Sequence, residues 1–150
     1  MPAKVPSRLG EQDIMRDAAR LRTLLTGLVG GGSLFYVNFI IDGGSTAITA
    51  GQKGHIEVPA GTIIAWRILP DQSGSIKIDV WRDTYGNFPP DNADSLCNGH
   101  EPELSAAAKA EDTDLSDWTS VALVEGDILG YNVDSADTVE RVTLSLKVQR

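Results

Sequence analysis

Two kinds of hydrophobic spacing divide the chain. Ile14, Ala18, Leu21, Leu25 and Leu28 recur at steps of four, three, four and three, which is the a/d spacing of a coiled-coil seam and predicts a helix over residues 11–28. Arg16, Asp17, Arg20 and Arg22 fall off that seam. Two heptads are fewer than a coiled coil usually needs, so two readings stand. The helix packs on its own domain, or its stripe meets other copies of the chain. The run Gly30-Gly-Gly-Ser33 uncouples the helix from the remainder of the chain and favours the second. Residues 1–10 hold two prolines and a glycine and read as a flexible arm.

From Leu34 onward the spacing is that of strands. Residues 34–42 are rich in aromatic and β-branched types and stop at Gly43-Gly-Ser45. Residues 54–59 and 62–69 come next, separated by Pro59-Ala-Gly61. Residues 75–82 alternate, with Ile76, Ile78 and Val80 on one side and Lys77, Asp79 and Trp81 on the other. Later strands are predicted at 120–124, 127–133 and 138–148. In the last, Val142, Leu144, Leu146 and Val148 form a core stripe against Thr143, Ser145 and Lys147. Seven or eight strands, counting a weak one near Leu104, with regular turn signals predict a mainly β fold. It is an antiparallel β-sandwich, jelly-roll-like, preceded by a short N-terminal α-helix. No strand–helix alternation supports a parallel sheet. The expected division is residues 1–32 for attachment and oligomerisation, and 33–150 for the sandwich.

Composition narrows the function classes. A formal charge of −8, with the acid scattered, argues against nucleic acid and against anionic membranes as partners. The longest apolar run, 34–41, is interrupted by Asn38 and too short to span a bilayer, and residues 1–8 lack the apolar stretch of a secretory signal. A soluble protein made in a cytoplasm is expected. Cys97 is the only cysteine, so the chain can form neither an internal disulfide nor a cysteine zinc site.

Candidate chemistry is sparse. His55 and His100 stand in no metal-ligand spacing, and His55 reads as a surface or half-buried strand residue. No Gly-x-Ser-x-Gly elbow or phosphate-binding loop occurs. Asp71, Asp79, Asp83, Asp91 and Asp94 offer oxygens for calcium but lack the Asp-x-Asp-x-Asp-Gly pattern. The reading therefore assigns no catalytic residue, metal or cofactor. A glycosidase carboxylate pair is the enzymatic alternative, since its members need not be close in sequence.

Residues 83–114 read as one long loop with few apolar anchors, which marks a functional segment. Tyr85, Asn87, Phe88 and Asn92 are its candidate binding residues, the aromatics as anchors and the amides as partners for sugar hydroxyls. The competing reading, slightly favoured, has Tyr85 and Phe88 pinning the loop to the sandwich. Trp81 is a candidate aromatic platform or intersubunit contact; a tryptophan covered by a neighbouring strand or subunit is favoured over the platform. Trp66 and Trp118 read as core.

Four segments together resemble a module of bacteriophage virion proteins. They are Asp71-Gln-Ser-Gly-Ser-Ile-Lys-Ile-Asp-Val-Trp-Arg-Asp-Thr-Tyr-Gly-Asn-Phe-Pro-Pro90, Asp42-Gly-Gly-Ser-Thr-Ala-Ile-Thr-Ala-Gly51, Gly126-Asp-Ile-Leu-Gly-Tyr-Asn-Val-Asp-Ser135 and Val142-Thr-Leu-Ser-Leu-Lys-Val148. The resemblance covers about residues 39–148 and leaves the first forty outside. It implies a jelly-roll-type tail-fibre, head-fibre or capsid decoration domain with no catalytic residues. A non-enzymatic virion protein, assembled in the host cytoplasm, is the resulting expectation. It would be a homo-oligomer, trimeric by analogy with fibres or else pentameric. Its N-terminal arm would meet other virion proteins and its sandwich a host-surface glycan. A small glycan-binding or glycan-hydrolysing sandwich protein is the alternative.

Overall fold

The computed structural model describes residues 17–21 and 32–150. The chain divides into two units, Met1–Ser33 and Leu34–Arg150. In the first, residues 17–21 are helical and exposed; Ala18 and Leu21 of the predicted seam lie here, Leu21 at 59% exposure. Ile14, Leu25 and Leu28 lie outside the described residues. Among the described residues no helix is long and apolar enough to cross a membrane.

The second unit is built from nine strands: β1 (Leu34–Asp42), β2 (Gly51–Val58), β3 (Gly61–Pro70), β4 (Gly74–Thr84), β5 (Glu103–Ala107), β6 (Ala110–Asp112), β7 (Ala122–Leu123), β8 (Asp127–Asp137) and β9 (Arg141–Gln149). They form two antiparallel sheets, one ordered β1-β9-β3-β6 with β7 also on β3, the other β2-β8-β4-β5. Setting β7 aside, the first strand pairs the last, the second pairs the next to last, and so on inward to β4 with β5. A ribbon doubled back on itself and rolled in this way is a jelly roll.

Alternation along the strands sets the core. Val142, Leu144, Leu146 and Val148 of β9 are fully buried, as are Ile76, Ile78 and Val80 of β4 in the other sheet. Both stripes match the period-two spacing of the sequence. Phe39 of β1 and Tyr131 of β8 stack between the sheets, with ring centroids 4.1 Å apart and planes 9° from parallel. The Tyr131 hydroxyl has no hydrogen-bond partner among the described residues, and burial pushes its ionisation upward. Trp66 and Trp118 are buried as expected, and Trp118 Nε1 donates to the His100 carbonyl at 3.0 Å.

The stretch expected to be one long loop is more structured than its composition predicts. It contains β5, β6 and two 3₁₀ turns, Tyr85–Asn87 and Asn92–Asp94. Leu96, Cys97 and Leu104 anchor it in the core. Leu96 also exchanges backbone bonds, donating to the Val80 carbonyl and accepting from Thr119. Burial raises the Cys97 thiol far from its thiolate form, so this cysteine is a core residue.

Trp81 is not an exposed platform. It is 8% exposed, because the 90s segment lies over its face of β4 and bridges to it through Ser95. Beneath that cover, buried Asp79 accepts from Trp81 Nε1 at 2.7 Å and from Ser95 Oγ at 2.6 Å. The reading of a tryptophan covered by neighbouring chain is the correct one.

The turn after β3 is tied to the turn before β9 by the Asp71 carboxylate, beside bonds from the Asp71 N–H to the Arg141 carbonyl and from Gln72 Nε2 to the Thr138 carbonyl. Asp71 Oδ1 accepts the backbone N–H groups of Arg141 at 3.1 Å and Glu140 at 3.2 Å. These bonds, that from Arg141 foremost, hold the Asp71 carboxyl below its usual 3.8. A depressed folded-state pKa gives stability that is complete above the unfolded value and is lost as pH falls through the folded value. Asp71→Asn should therefore lower the melting temperature at neutral pH, and its difference from the parent should shrink as pH falls below 3.8. Melting curves across that range check this; a constant difference at every pH would show that the charge is not the cause.

Candidate functional site

The outer face of the β2-β8-β4-β5 sheet carries the feature best suited to binding. In register across β2, β8 and β4 lie His55, Gly130 and Trp81, and in a neighbouring row Glu57, Ile128 and Asp83. Glycine at 130 leaves a dent, and buried Pro90 fills it. A Cβ at this position would lie 3.1 Å from Pro90 Cγ, 3.3 Å from His55 Cδ2 and 3.5 Å from Trp81 Cε3. The close approach of Pro90 is what needs a glycine here.

Pro90 thus seats the far end of the 85–90 loop, and Asp83 braces the near end. Its Oδ1 accepts from the Thr84 backbone at 2.7 Å and from Asn87 Nδ2 at 3.1 Å. The turn Tyr85–Asn87 closes through the Phe88 N–H to the Tyr85 carbonyl, and a cis peptide joins Phe88 to Pro89. Beyond Pro90, Asp91 and Asp94 form a reciprocal capping box on the second 3₁₀ turn.

With both ends fixed, two aromatic rings are left at the crest. Tyr85 is 79% exposed and Phe88 50%. Phe88 meets the His55 ring edge-on, with centroids 4.8 Å apart. His55 Nε2 is also hydrogen-bonded to the Gln52 amide. Between crest and sheet runs a groove of about 270 Å³ lined by His55, Ile56, Glu57, Tyr85, Phe88 and Ile128. Its walls are aromatic, its floor aliphatic, and its polar side-chain groups an imidazole, one carboxylate and the Tyr85 hydroxyl. That composition takes a ligand with an apolar face and hydroxyl edges.

The expected residues divide. Tyr85 and Phe88 line the groove. Asn87 does not, because its amide is spent on Asp83; Asn92 sits exposed on the second turn, apart from the groove lining. Tyr85 does not pin the loop, given its exposure; Pro90 and the Asp83 brace do. His55 is half-buried as read, but it and Glu57 belong to the groove, which the sequence reading missed. The signal for them was the alternation that puts 55 and 57 on one face of β2.

The acidic residues considered for calcium are used as structural acceptors. Asp71 ties two turns, Asp79 serves Trp81 and Ser95, Asp83 braces the loop, and Asp91 with Asp94 caps a turn. Among the described residues no three His, Cys, Asp or Glu side chains gather into a metal-binding group. A second hollow, about 420 Å³, is lined by Arg67, Leu69, Lys109, Ala110 and Glu111. Its Arg67 and Glu111 already satisfy each other at 2.8 Å. No protein-family model matches the chain, and no curated protein matches it.

Proposed function

We propose that this protein is a non-enzymatic structural component of a phage virion, a homo-oligomeric fibre or capsid decoration whose sandwich contacts a host-surface glycan. The first unit attaches to other virion proteins and gathers the copies, with three-fold association drawn from the analogy with fibres. The observation that carries the reading is the braced crest of Tyr85 and Phe88 above His55 and Glu57. Exposed aromatics on a loop already fixed by Pro90 and Asp83 lose little entropy on binding. A sugar ring stacks its C–H face on such rings, and its hydroxyls find Glu57 and His55 as partners. Of the six groove residues Glu57 alone is a carboxylate, whereas paired-carboxylate hydrolysis uses two. Asp83, beyond Ile128 in the same row, is taken up in bracing the loop.

Replacing Tyr85 and Phe88 together by alanine tests this. Adsorption of the protein to host cells should weaken about tenfold or more, as for truncated aromatic anchors, with the melting temperature unchanged. A lowered melting temperature would make the pair a structural pin. If neither quantity changes, the groove is not a contact and the protein is a passive decoration.

A further inference from the structure

The two sheets of the sandwich have four edges, and three of them are protected against pairing with other chains. The edge strand β2 is broken by a register shift between Gln52 and Gly54 and carries Lys53 and Glu57. β5 has five residues, a register shift on its partner between Gly74 and Ile76, and Glu103. β6 has three residues, two of them Glu111 and Asp112. Shortness, bulges and charges are the usual means of blunting an edge.

β1 has none of them. It runs nine residues in unbroken register with β9, from Leu34 opposite Gln149 to Asp42 opposite Arg141, and among the described residues it pairs on that side only. It contains no proline and no lysine, and its one charge, Asp42, is bonded to Arg141 at 2.8 Å. Its outward face carries three open apolar side chains, Leu34 at 52%, Tyr36 at 52% and Ile40 at 62% exposure, with Asn38 between them and Asp42 at the end. On its inward side Phe35 and Phe39 are only half-buried.

We infer that β1 pairs with β1 of a second copy, antiparallel about a two-fold axis at Asn38, so that the two sheets become one. Asn38 is the midpoint of the strand, and this register uses all nine residues. On the outer face it sets Tyr36 opposite the partner copy's Ile40 twice over, Leu34 opposite Asp42 twice over, and Asn38 opposite Asn38. On the inner face Phe35 meets Ile41 and Val37 meets Phe39. Aromatic against β-branched residues are the favourable cross-strand pairs, and here the strand supplies both halves itself. An isologous contact requires that self-complementarity. Charge agrees: two copies of net charge −8 repel over most of their surfaces, but β1 presents only the neutralised Asp42. The pairing goes beyond the proposed virion role and does not depend on it.

Two measurements on the full-length chain decide the matter. Facing residues of an antiparallel pair lie about 4.5–5.5 Å apart at Cα, within reach of a disulfide. Asn38→Cys should therefore form an intermolecular disulfide under mild oxidation. Thr62→Cys, exposed two strands inward, should not, and the buried native Cys97 leaves the parent chain as a blank. Tyr36→Lys with Ile40→Lys should reduce the mass in light scattering to about half, as expected when one two-fold contact is lost. Cross-linking at Asn38 with the halved mass supports the pairing. An unchanged mass, or cross-linking at Thr62 as rapid as at Asn38, overturns it and leaves β1 to the chain's own first unit or to another protein.

Discussion

Leu144→Ala should cost about 2–5 kcal/mol of folding stability, because it empties a fully buried site on a central strand. Leu144 stands in β9 with Phe39 of β1 on one side and Ile68 of β3 on the other, all facing the core. Neither neighbour moves easily into the space, since Phe39 is stacked on Tyr131 and Ile68 is itself fully buried. Thr143→Ala, one residue away on the outer face, should change stability by no more than about 0.5 kcal/mol. Denaturant unfolding of both variants measures the contrast. Equal effects would mean that the inward face of β9 has been misassigned.

The second large effect is expected at Asp79. This residue is 3% exposed, and its carboxylate accepts from Trp81 Nε1 and Ser95 Oγ beneath the 90s segment. Asp79→Ala leaves the buried Trp81 Nε1 and the half-buried Ser95 Oγ without their acceptor, at a cost of about 2–5 kcal/mol. Ser95→Ala removes one donor to Asp79 and the acceptor of the Cys97 backbone N–H but leaves the Trp81 bond intact, so about 1–2 kcal/mol is expected, less than for Asp79→Ala. The order of the two costs, read by denaturant unfolding, is the test. If Asp79→Ala costs no more than Ser95→Ala, the carboxylate does not organise the cover over β4.

These two sites mark what the sequence discloses and what it withholds. The β9 stripe is legible because burial there follows local alternation, residue by residue. The same alternation on β4 locates Ile76, Ile78 and Val80 but does not say what covers Asp79 and Trp81 on the opposite face. Their face is closed by Ser95 and Pro90, which arrive from later in the chain with no local signal. β6 escapes notice because three residues, two of them acidic, carry no period. Leu96 and Cys97 escape because single anchors in a polar stretch do not repeat.

The groove is legible by halves. Tyr85 and Phe88 stand out as aromatics in a loop, but His55 and Glu57 lie some thirty residues earlier on a strand of ordinary composition. Only the register of β2, β8 and β4 brings the two halves together, with Gly130 as the dent that admits Pro90. The predicted seam is partly testable in the same terms: Ala18 and Leu21 are helical and exposed, and the other three positions lie outside the described residues.

The central claim, a virion component that displays its sandwich to the host, is tested most directly by imaging purified phage particles labelled with antibody against residues 34–150. Label at regularly spaced positions on the particle surface is the expected result. Bare particles, with the chain found only in the soluble fraction of the same lysate, would contradict it.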